Sequence, residues 1–247
     1  MILVANWKAY VETLAQVKKL VLASKKISDA RKHEVILAVP GAYLGLLSVG
    51  NKTRVKFAGQ NVSDVSAGAH TGEVTAGMLR GAGATHVIIG HSERRAQGET
   101  DELLVRKVKQ AIRSGLTPIV CVGESERDEQ AHYLAHLRTQ VTSIFAPLSA
   151  KDRTRLVLAY EPVWAIGKSA SEGISPEDLT EMVSYLRKVL STFFPGKGAE
   201  NVPILYGGAV EPSNAKALTV GTGVQGLLVG HASAQVSSFS ALAKALS

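Results

Sequence analysis

Eight short apolar segments recur along this chain at intervals of roughly 30 residues, the length of one strand–helix unit. Several are nearly continuous in Val, Ile, Leu and Ala and do not alternate apolar with polar residues. Strands that are buried on both faces have this composition, as in a parallel sheet covered by helices. The predicted strands are 2–6, 34–40, 55–60, 86–90, 117–123, 156–161, 203–206 and 226–229.

The segments between these strands carry helix signals. Thr100 can cap a helix over 100–113, and Gly115 can end it. Ser175 followed by Pro176 indicates a second helix start, because proline suits the first helical position. Further helices are predicted over 11–26, 128–145 and 232–246.

Alternating strands and helix-like segments indicate repeated βα units and an α/β fold. Eight such units close a barrel, and a barrel of this kind needs about 250 residues, close to the 247 present. The alternative is an open doubly wound sheet, but no Gly-x-Gly-x-x-Gly follows the first strand. Because no linker or change in composition interrupts the chain, we predict a single (β/α)₈ barrel domain over 1–247, a closed parallel sheet ringed by helices.

Composition restricts the function further. The formal net charge is +7, but the basic residues are scattered through amphipathic segments and aromatic residues make up only 5%. Nucleic-acid binding is therefore a weak interpretation. No stretch of 18 apolar residues occurs and the amino terminus lacks a signal-peptide pattern, so we expect neither a membrane span nor a signal peptide.

Cys121 is the only cysteine, which excludes a disulfide within the chain and favours a reducing compartment. A single cysteine also excludes a cysteine-based metal site, and the histidines lack zinc-ligand spacing. We therefore expect neither a metal nor a cofactor.

Polar residues and glycines follow five of the predicted strands, and in a βα barrel the chemistry gathers at these carboxyl ends. A carboxylate with a neutral hydrogen-bond donor suits proton abstraction beside a carbonyl group, and glycine turns can bring backbone N–H groups to a phosphate. The residues are Asn6, Trp7 and Lys8 after the first strand, His91, Ser92 and Glu93 after the fourth, Glu161 at the end of the sixth, Gly207 and Gly208 after the seventh, and Gly230 and His231 after the eighth.

Seven segments, in order along nearly the whole chain, resemble the signature segments of triosephosphate isomerases. They are Ala5-Asn6-Trp7-Lys8, Gly59-Gln60-Asn61, Thr71-Gly72-Glu73, Gly90-His91-Ser92-Glu93-Arg94-Arg95, Cys121-Val122-Gly123-Glu124, Ala159-Tyr160-Glu161-Pro162-Val163-Trp164-Ala165-Ile166-Gly167 and Tyr206-Gly207-Gly208. The resemblance implies a TIM barrel and a cytoplasmic enzyme of glycolysis and gluconeogenesis. This enzyme would interconvert D-glyceraldehyde 3-phosphate and dihydroxyacetone phosphate through a cis-enediol(ate).

The resemblance also implies roles for individual residues. Glu161 would move the proton between neighbouring carbons, and His91 would polarise the carbonyl oxygens as a neutral imidazole. Lys8 would lie between the phosphate and the developing oxyanion. Supporting roles fall to Asn6 near the substrate oxygens, Ser92 beside the site and Glu93 as the partner of Lys8.

Phosphate binding and dimerisation are implied in the same way. Backbone N–H groups of four residues would hold the phosphate, namely those of Gly167, Ala209, Gly230 and His231. Thr71 matches the position that supports the partner's site in the family, which predicts a homodimer.

Three features depart from the family pattern. Ala209 replaces a serine, and His231 replaces a glycine. We expect the imidazole of His231 at the rim of the phosphate site. The segment 167–175, which corresponds to the family's lid, is altered and slightly longer. Cys121 resembles a family cysteine near the base, and a small buried apolar side chain is an equally good interpretation.

Three other functions remain open on the sequence alone. A different phosphate-binding barrel isomerase or aldolase is one, although an aldolase would need a Schiff-base lysine and the fifth to seventh predicted strands contain none. A metabolite-binding barrel without activity is the second, and it would be expected to lose Glu161 or His91. The third is nucleic-acid binding through the basic surface.

Overall fold

In the computed structural model, which describes residues 1–30 and 32–247, eight parallel strands pair in chain order. The last strand pairs with the first, with Ile2 opposite Gly226, so the sheet closes into a barrel. This confirms the predicted fold class. The strands are β1 Ile2–Asn6, β2 Glu34–Ala38, β3 Lys56–Gly59, β4 His86–Ile89, β5 Thr117–Val122, β6 Val157–Tyr160, β7 Ile204–Tyr206 and β8 Gly226–Val229.

The strands bury both of their faces, which explains their continuous apolar composition. In β1, Val4 belongs to a cluster that fills the barrel, whereas Leu3 and Ala5 belong to a larger cluster that includes buried helix residues. In β2, Ile36 likewise belongs to the inner cluster. Successive strand residues point to opposite faces, so a strand enclosed on both sides has no polar face to display.

Nine α-helices lie among the described residues. Their order places at least one helix after every strand except β7, which is followed by a run of turns over 207–225. The helices are α1 Leu14–Asp29, α2 Gly41–Ser48, α3 Ala76–Gly81, α4 Ser92–Ala96, α5 Asp101–Arg113, α6 His132–Phe145, α7 Ala150–Arg153, α8 Pro176–Ser191 and α9 Val236–Ala245.

Capping side chains set the starts of several helices. Thr100 accepts the N–H of Leu103 at 3.4 Å, and Ser175 accepts that of Asp178 at 3.0 Å, as their sequences predict. The predicted start of the first helix was wrong by three residues, because a capping box at Thr13 begins it at Leu14. The helix predicted over 128–145 also starts later, at His132, whose N–H binds the Asp128 side chain.

A buried ion pair packs α5 against the loop after α4. Lys107 Nζ lies 2.6 Å from Glu99 Oε1 and 2.8 Å from Asn61 Oδ1, and both charged side chains are no more than 5% exposed. Arg94 also reaches Glu99, at 2.7 Å, from a more exposed position. If one of these cations is removed, the carboxylate stays buried, and its desolvation then destabilises the fold with less compensation.

We expect Lys107→Met to lower the free energy of unfolding by about 3 kcal/mol, because Glu99 stays buried with only Arg94 beside it. The control is Lys56→Met, which breaks an equally short pair with Glu34 at 2.6 Å on the surface. Surface pairs contribute at most about 1 kcal/mol, so this variant should unfold almost like the wild type. Denaturant unfolding measures both, and equal losses would contradict the prediction.

No helix in the described part of the chain has the length and apolarity that a membrane span requires.

Candidate active site

The polar residues predicted from the strand ends gather at one rim of the barrel. Asn6 ends β1, His91 lies two residues after β4, and Glu161 directly follows β6. Because all eight strands are parallel, their carboxyl ends meet at the same edge. All three side chains are buried.

Glu161 and His91 are in direct contact. His91 Nε2 lies 3.3 Å from Glu161 Oε1, and the backbone N–H of Ser92 donates to Glu161 Oε2 at 3.1 Å. A Cβ added to Gly207 would lie 3.0 Å from Glu161 Cγ, so the glycine after β7 makes room for this side chain. The carboxylate therefore sits between the ends of β4 and β7.

Burial raises the pKa of Glu161 above its ordinary value, because water is withdrawn from the charged form. A protonated His91 ring would partly offset this effect, and the hydrogen bond from Ser92 does so as well. The neighbouring Cys121 thiol is also buried, and burial followed by the Glu161 charge raises its pKa well above the usual value. The thiol therefore stays protonated, which suits a small buried side chain better than a nucleophile.

The first turn of α4 fixes the proton on His91. The backbone N–H of Glu93 donates to His91 Nδ1 at 3.2 Å, so this nitrogen must be an acceptor without a proton. The proton of the neutral ring then lies on Nε2, the nitrogen that faces Glu161. The ring can therefore donate a hydrogen bond into the site without carrying a charge.

Lys8 has an unusual backbone conformation, with φ at +45°. Its N–H donates to Asn6 Oδ1 at 3.1 Å, and its carbonyl accepts from Gln60 Nε2 at 3.0 Å. A left-handed conformation in a lysine is strained and persists only where neighbours enforce it. Asn6 and Gln60 thus hold the turn that aims Lys8.

The Lys8 ammonium group lies between an acid and a glycine turn. Its Nζ is 2.7 Å from Glu93 Oε1, as predicted, and a Cβ added to Gly230 would lie 3.9 Å from Nζ. Burial alone would raise the pKa of Glu93, but the hydrogen bond and charge of Lys8 outweigh it, so the pKa lies below its usual value. The Glu93 carboxylate therefore favours its ionised form and holds the Lys8 side chain near Gly230.

The predicted phosphate-binding residues lie on three loops after β6, β7 and β8. Gly230 and His231 open a short 3₁₀ helix, His231–Ala234, whose first N–H groups have no partner within the helix. Gly167 has a φ of +75°, in the segment after β6. Farther along that segment, a Cβ added to Gly173 would lie 3.3 Å from the Cβ of Ala209, so the segment packs against the loop after β7.

The His231 side chain is exposed and turned towards the loop after β1. Its ring meets the Tyr10 ring edge to face, with centroids 5.6 Å apart, and its Nε2 lies 3.5 Å from Gln235 Nε2. Thr71 lies outside the cluster, exposed on the loop between β3 and α3.

Several residues that support the site have no role predicted from the sequence. Gln60 is one, and Glu124 is another. Glu124 Oε1 accepts hydrogen bonds from Tyr160 at 2.8 Å and from Trp164 at 2.9 Å, and it also binds Arg127 at 3.1 Å. These bonds anchor the start of the segment after Glu161. Gln60 and Glu124 both lie within the signature segments named above, but their contacts with Lys8, Tyr160 and Trp164 span 36 to 52 positions in the sequence.

A metal site and a Schiff-base aldolase can both be compared with this geometry. In the described part of the chain, no group of three or more His, Cys, Asp or Glu side chains is placed to hold a metal ion. An aldolase of the Schiff-base type would require a lysine on one of the strands β5, β6 and β7, and these strands contain none.

Comparison with known proteins finds one enzyme family over nearly the whole chain. The family model described as triosephosphate isomerase matches residues 1–246. A triosephosphate isomerase from Porphyromonas gingivalis is 40% identical over 245 residues, which cover 96% of each chain. One from Protochlamydia amoebophila is 37% identical over 96% of this chain and 90% of its own. The crystal structure of triosephosphate isomerase from Bartonella henselae superposes with a TM-score of 0.85 at 31% identity, over 99% of this chain and 98% of that one.

Proposed function

Because the chain belongs to the triosephosphate isomerase family, we propose that it interconverts D-glyceraldehyde 3-phosphate and dihydroxyacetone phosphate through a cis-enediolate, with Glu161 as the base. The observation that carries the proposal is the buried contact of 3.3 Å between Glu161 and His91. Such an enzyme has its place in glycolysis and gluconeogenesis, and a cytoplasmic location is part of the proposal.

Proton transfer needs a base and a donor on the reacting carbons. Glu161, raised in pKa by burial, takes the proton from the carbon beside the carbonyl group and returns it to the neighbouring carbon. His91 donates its Nε2 proton in a hydrogen bond to the carbonyl oxygens as they become negative. A neutral ring that already holds its proton on Nε2 supports this role.

Charge on the enediolate and on the phosphate needs fixed donors. Lys8 supplies a cation where negative charge develops, and its pair with Glu93 holds it in place. Asn6 and Ser92 support the site through the Lys8 turn and through Glu161. The phosphate binds N–H groups at the helix start after β8 and on the two adjoining loops, a favourable site for an anion. These donors are those of Gly167, Ala209, Gly230 and His231.

The test is conversion of D-glyceraldehyde 3-phosphate at nanomolar enzyme, coupled to reduction of the dihydroxyacetone phosphate formed. We expect kcat/KM to approach the diffusion limit of about 10⁸–10⁹ M⁻¹s⁻¹. The control is the same preparation with an aldehyde that lacks the phosphate, which should react far more slowly because the phosphate contacts are lost. No turnover of the phosphate ester above the buffer rate would refute the proposal.

We further propose a homodimer formed through the loop after β1, helix α2, and helix α3 with the loop before it. Large apolar side chains are exposed on these segments, including Tyr10, Leu46, Val74 and Met78. Exposed apolar groups of this kind mark protein–protein contacts. Thr71 lies on the same loop as Val74 and would reach the partner's site.

We expect the dimer to weaken when a charge enters this surface. Met78 is 57% exposed on α3, and Met78→Lys should raise the dissociation constant at least about tenfold because the ammonium group would be desolvated in the interface. Val220→Lys, at a residue 68% exposed after β7, is the matched control and should have no effect. Sedimentation at nanomolar concentrations measures both, and a fully active wild-type monomer would contradict the proposal.

A further inference from the structure

A groove of about 710 Å³ lies outside the barrel between α1 and α9, and we call it the α1–α9 groove. Its lining comes from residues 19–30 of α1 and its carboxyl end, residues 32–33 before β2, and residues 236–247 of α9 and the carboxyl terminus. None of the residues proposed for substrate binding lines it. A volume of about 300–1,000 Å³ is typical of sites for small molecules.

The groove exists because small side chains meet where the two helices pack. Ala23 on α1 and Ser240 and Ala243 on α9 lie in this seam, and they leave space that larger residues would fill. Apolar side chains form the walls. Leu22 is 57% exposed and Val236 39% exposed, although both lie on helices that pack their other faces against the core.

The rim of the groove is cationic. Four lysines line it, and none of the described lining residues is acidic. Lys19 and Lys26 stand two helical turns apart on α1, Lys32 lies at the end nearest β2, and Lys244 faces them from α9. Such an arrangement attracts an anion, and the apolar walls favour a ligand that also carries an apolar part.

A buried polar atom marks one end of the groove. His33 is 7% exposed, and its Nε2 binds the carbonyl of Ala243 at 3.1 Å. Its Nδ1 is buried and has no hydrogen-bond partner among the described residues. A second cavity, of about 480 Å³, shares His33 and Lys32 and adds Arg54 and an ion pair of Lys56 with Glu34, so beyond this end the added positive charge comes from Arg54. Because Nε2 donates to the Ala243 carbonyl and burial lowers the pKa of His33, Nδ1 of the neutral ring is an acceptor, so the lysines and not His33 would bind an anionic group here.

We propose that the α1–α9 groove binds a small amphiphilic anion, with its anionic head among the lysines near His33 and its apolar tail against Leu22, Ile27 and Val236. The charge, the apolar walls and the volume together favour this ligand over either a purely polar anion or a neutral apolar molecule. The site is separate from the proposed isomerase centre, so the proposal does not depend on that activity.

Decanoate, titrated below its micelle concentration and followed by calorimetry, is the probe. Decanol tests the need for the charge, and butanoate tests the need for the tail. We expect decanoate to bind with a dissociation constant at least tenfold lower than either, and turnover of triose phosphate to stay unchanged. Equal affinity for decanol and decanoate would overturn the proposal. Binding of the protein to vesicles of anionic phospholipid, without binding of dissolved decanoate, would also overturn it.

Two pairs of variants locate the site. Ser240→Leu fills the groove from an exposed position on α9, and Ser237→Leu makes the same change on the same helix away from the lining. We expect the first to weaken decanoate binding at least tenfold and the second to leave it unchanged. Equal affinities for the two variants would place the ligand elsewhere and overturn the proposal.

The charge is tested in the same way. The double variant Lys26→Gln and Lys244→Gln should bind decanoate no better than decanol, whereas Lys18→Gln, on α1 but outside the lining, should keep the preference. An undiminished preference in the double variant would contradict the assignment of the anionic head to the lysines. Circular dichroism and isomerase activity confirm that each variant is folded.

Discussion

Glu161→Gln should lower kcat by about 10²- to 10⁴-fold while KM changes little, because the amide keeps the shape of the side chain but cannot accept the substrate proton. The coupled isomerase assay measures this loss. Glu181→Gln, the same substitution at an exposed residue of α8, is the matched control and should retain full activity. A Glu161→Gln enzyme with wild-type kcat would remove Glu161 from the mechanism.

The pH dependence of kcat/KM gives a second measurement of the same base. Glu161 is active as the carboxylate, and burial raises its pKa above the ordinary value of 4.5. Activity should therefore fall as pH decreases through this raised pKa, so that the acid limb lies above pH 4.5. An acid limb at or below that value would contradict the effect of burial. The Glu161→Gln variant should lack the limb.

Gly123→Ala should lower kcat/KM by about 10²-fold through a displacement of the base. A Cβ at this position would lie 1.7 Å from the carbonyl oxygen of Glu161, which no rotation of a side chain can relieve. Gly123 cannot move away easily, since Gln140 binds its N–H at 2.9 Å and its carbonyl at 3.2 Å. The end of β6 must therefore shift, and Glu161 shifts with it.

The control for this variant is Gly41→Ala, at the start of α2, where an added Cβ meets nothing within 4 Å. It should leave both kcat/KM and thermal stability unchanged, whereas Gly123→Ala should also unfold at a lower temperature because the interior is overpacked. Steady-state kinetics and thermal unfolding of the two variants provide the comparison. A kcat/KM within a few-fold of the wild type in Gly123→Ala would show that the contact is easily relieved.

The strands and the closed sheet were predictable because burial on both faces leaves a strong signal in the sequence. The helices α2, α3 and α4 gave no such signal, since they span only five to eight residues. Helices this short are not stable by themselves and depend on tertiary packing. Gly41 and Gly45 in α2 lower its intrinsic helix propensity further. The start of α1 was misplaced because a capping box, rather than the apolar pattern, sets it, and the start of α6 because Ala131 takes a left-handed conformation, with φ at +58°, directly before it.

The main residues of the site were predictable for a topological reason. Parallel strands in chain order bring Lys8, His91 and Glu161 to one rim although they are distant in the sequence. Residues that hold them were not predictable in this way. Gln60 contacts the carbonyl of Lys8 across 52 positions, and Trp164 contacts Glu124 across 40. Neither contact is indicated by a local sequence pattern, because each depends on how two loops pack together in the folded barrel.

The left-handed backbone of Lys8 makes stability compete with the proposed catalytic role of this residue. Its φ of +45° costs about 1–3 kcal/mol relative to a relaxed residue. Glycine would remove this strain but also the cation. Selection for heat resistance alone would thus drive position 8 towards glycine and away from a working enzyme. In the proposed enzyme, the positioned ammonium group would therefore be obtained at the expense of thermal stability.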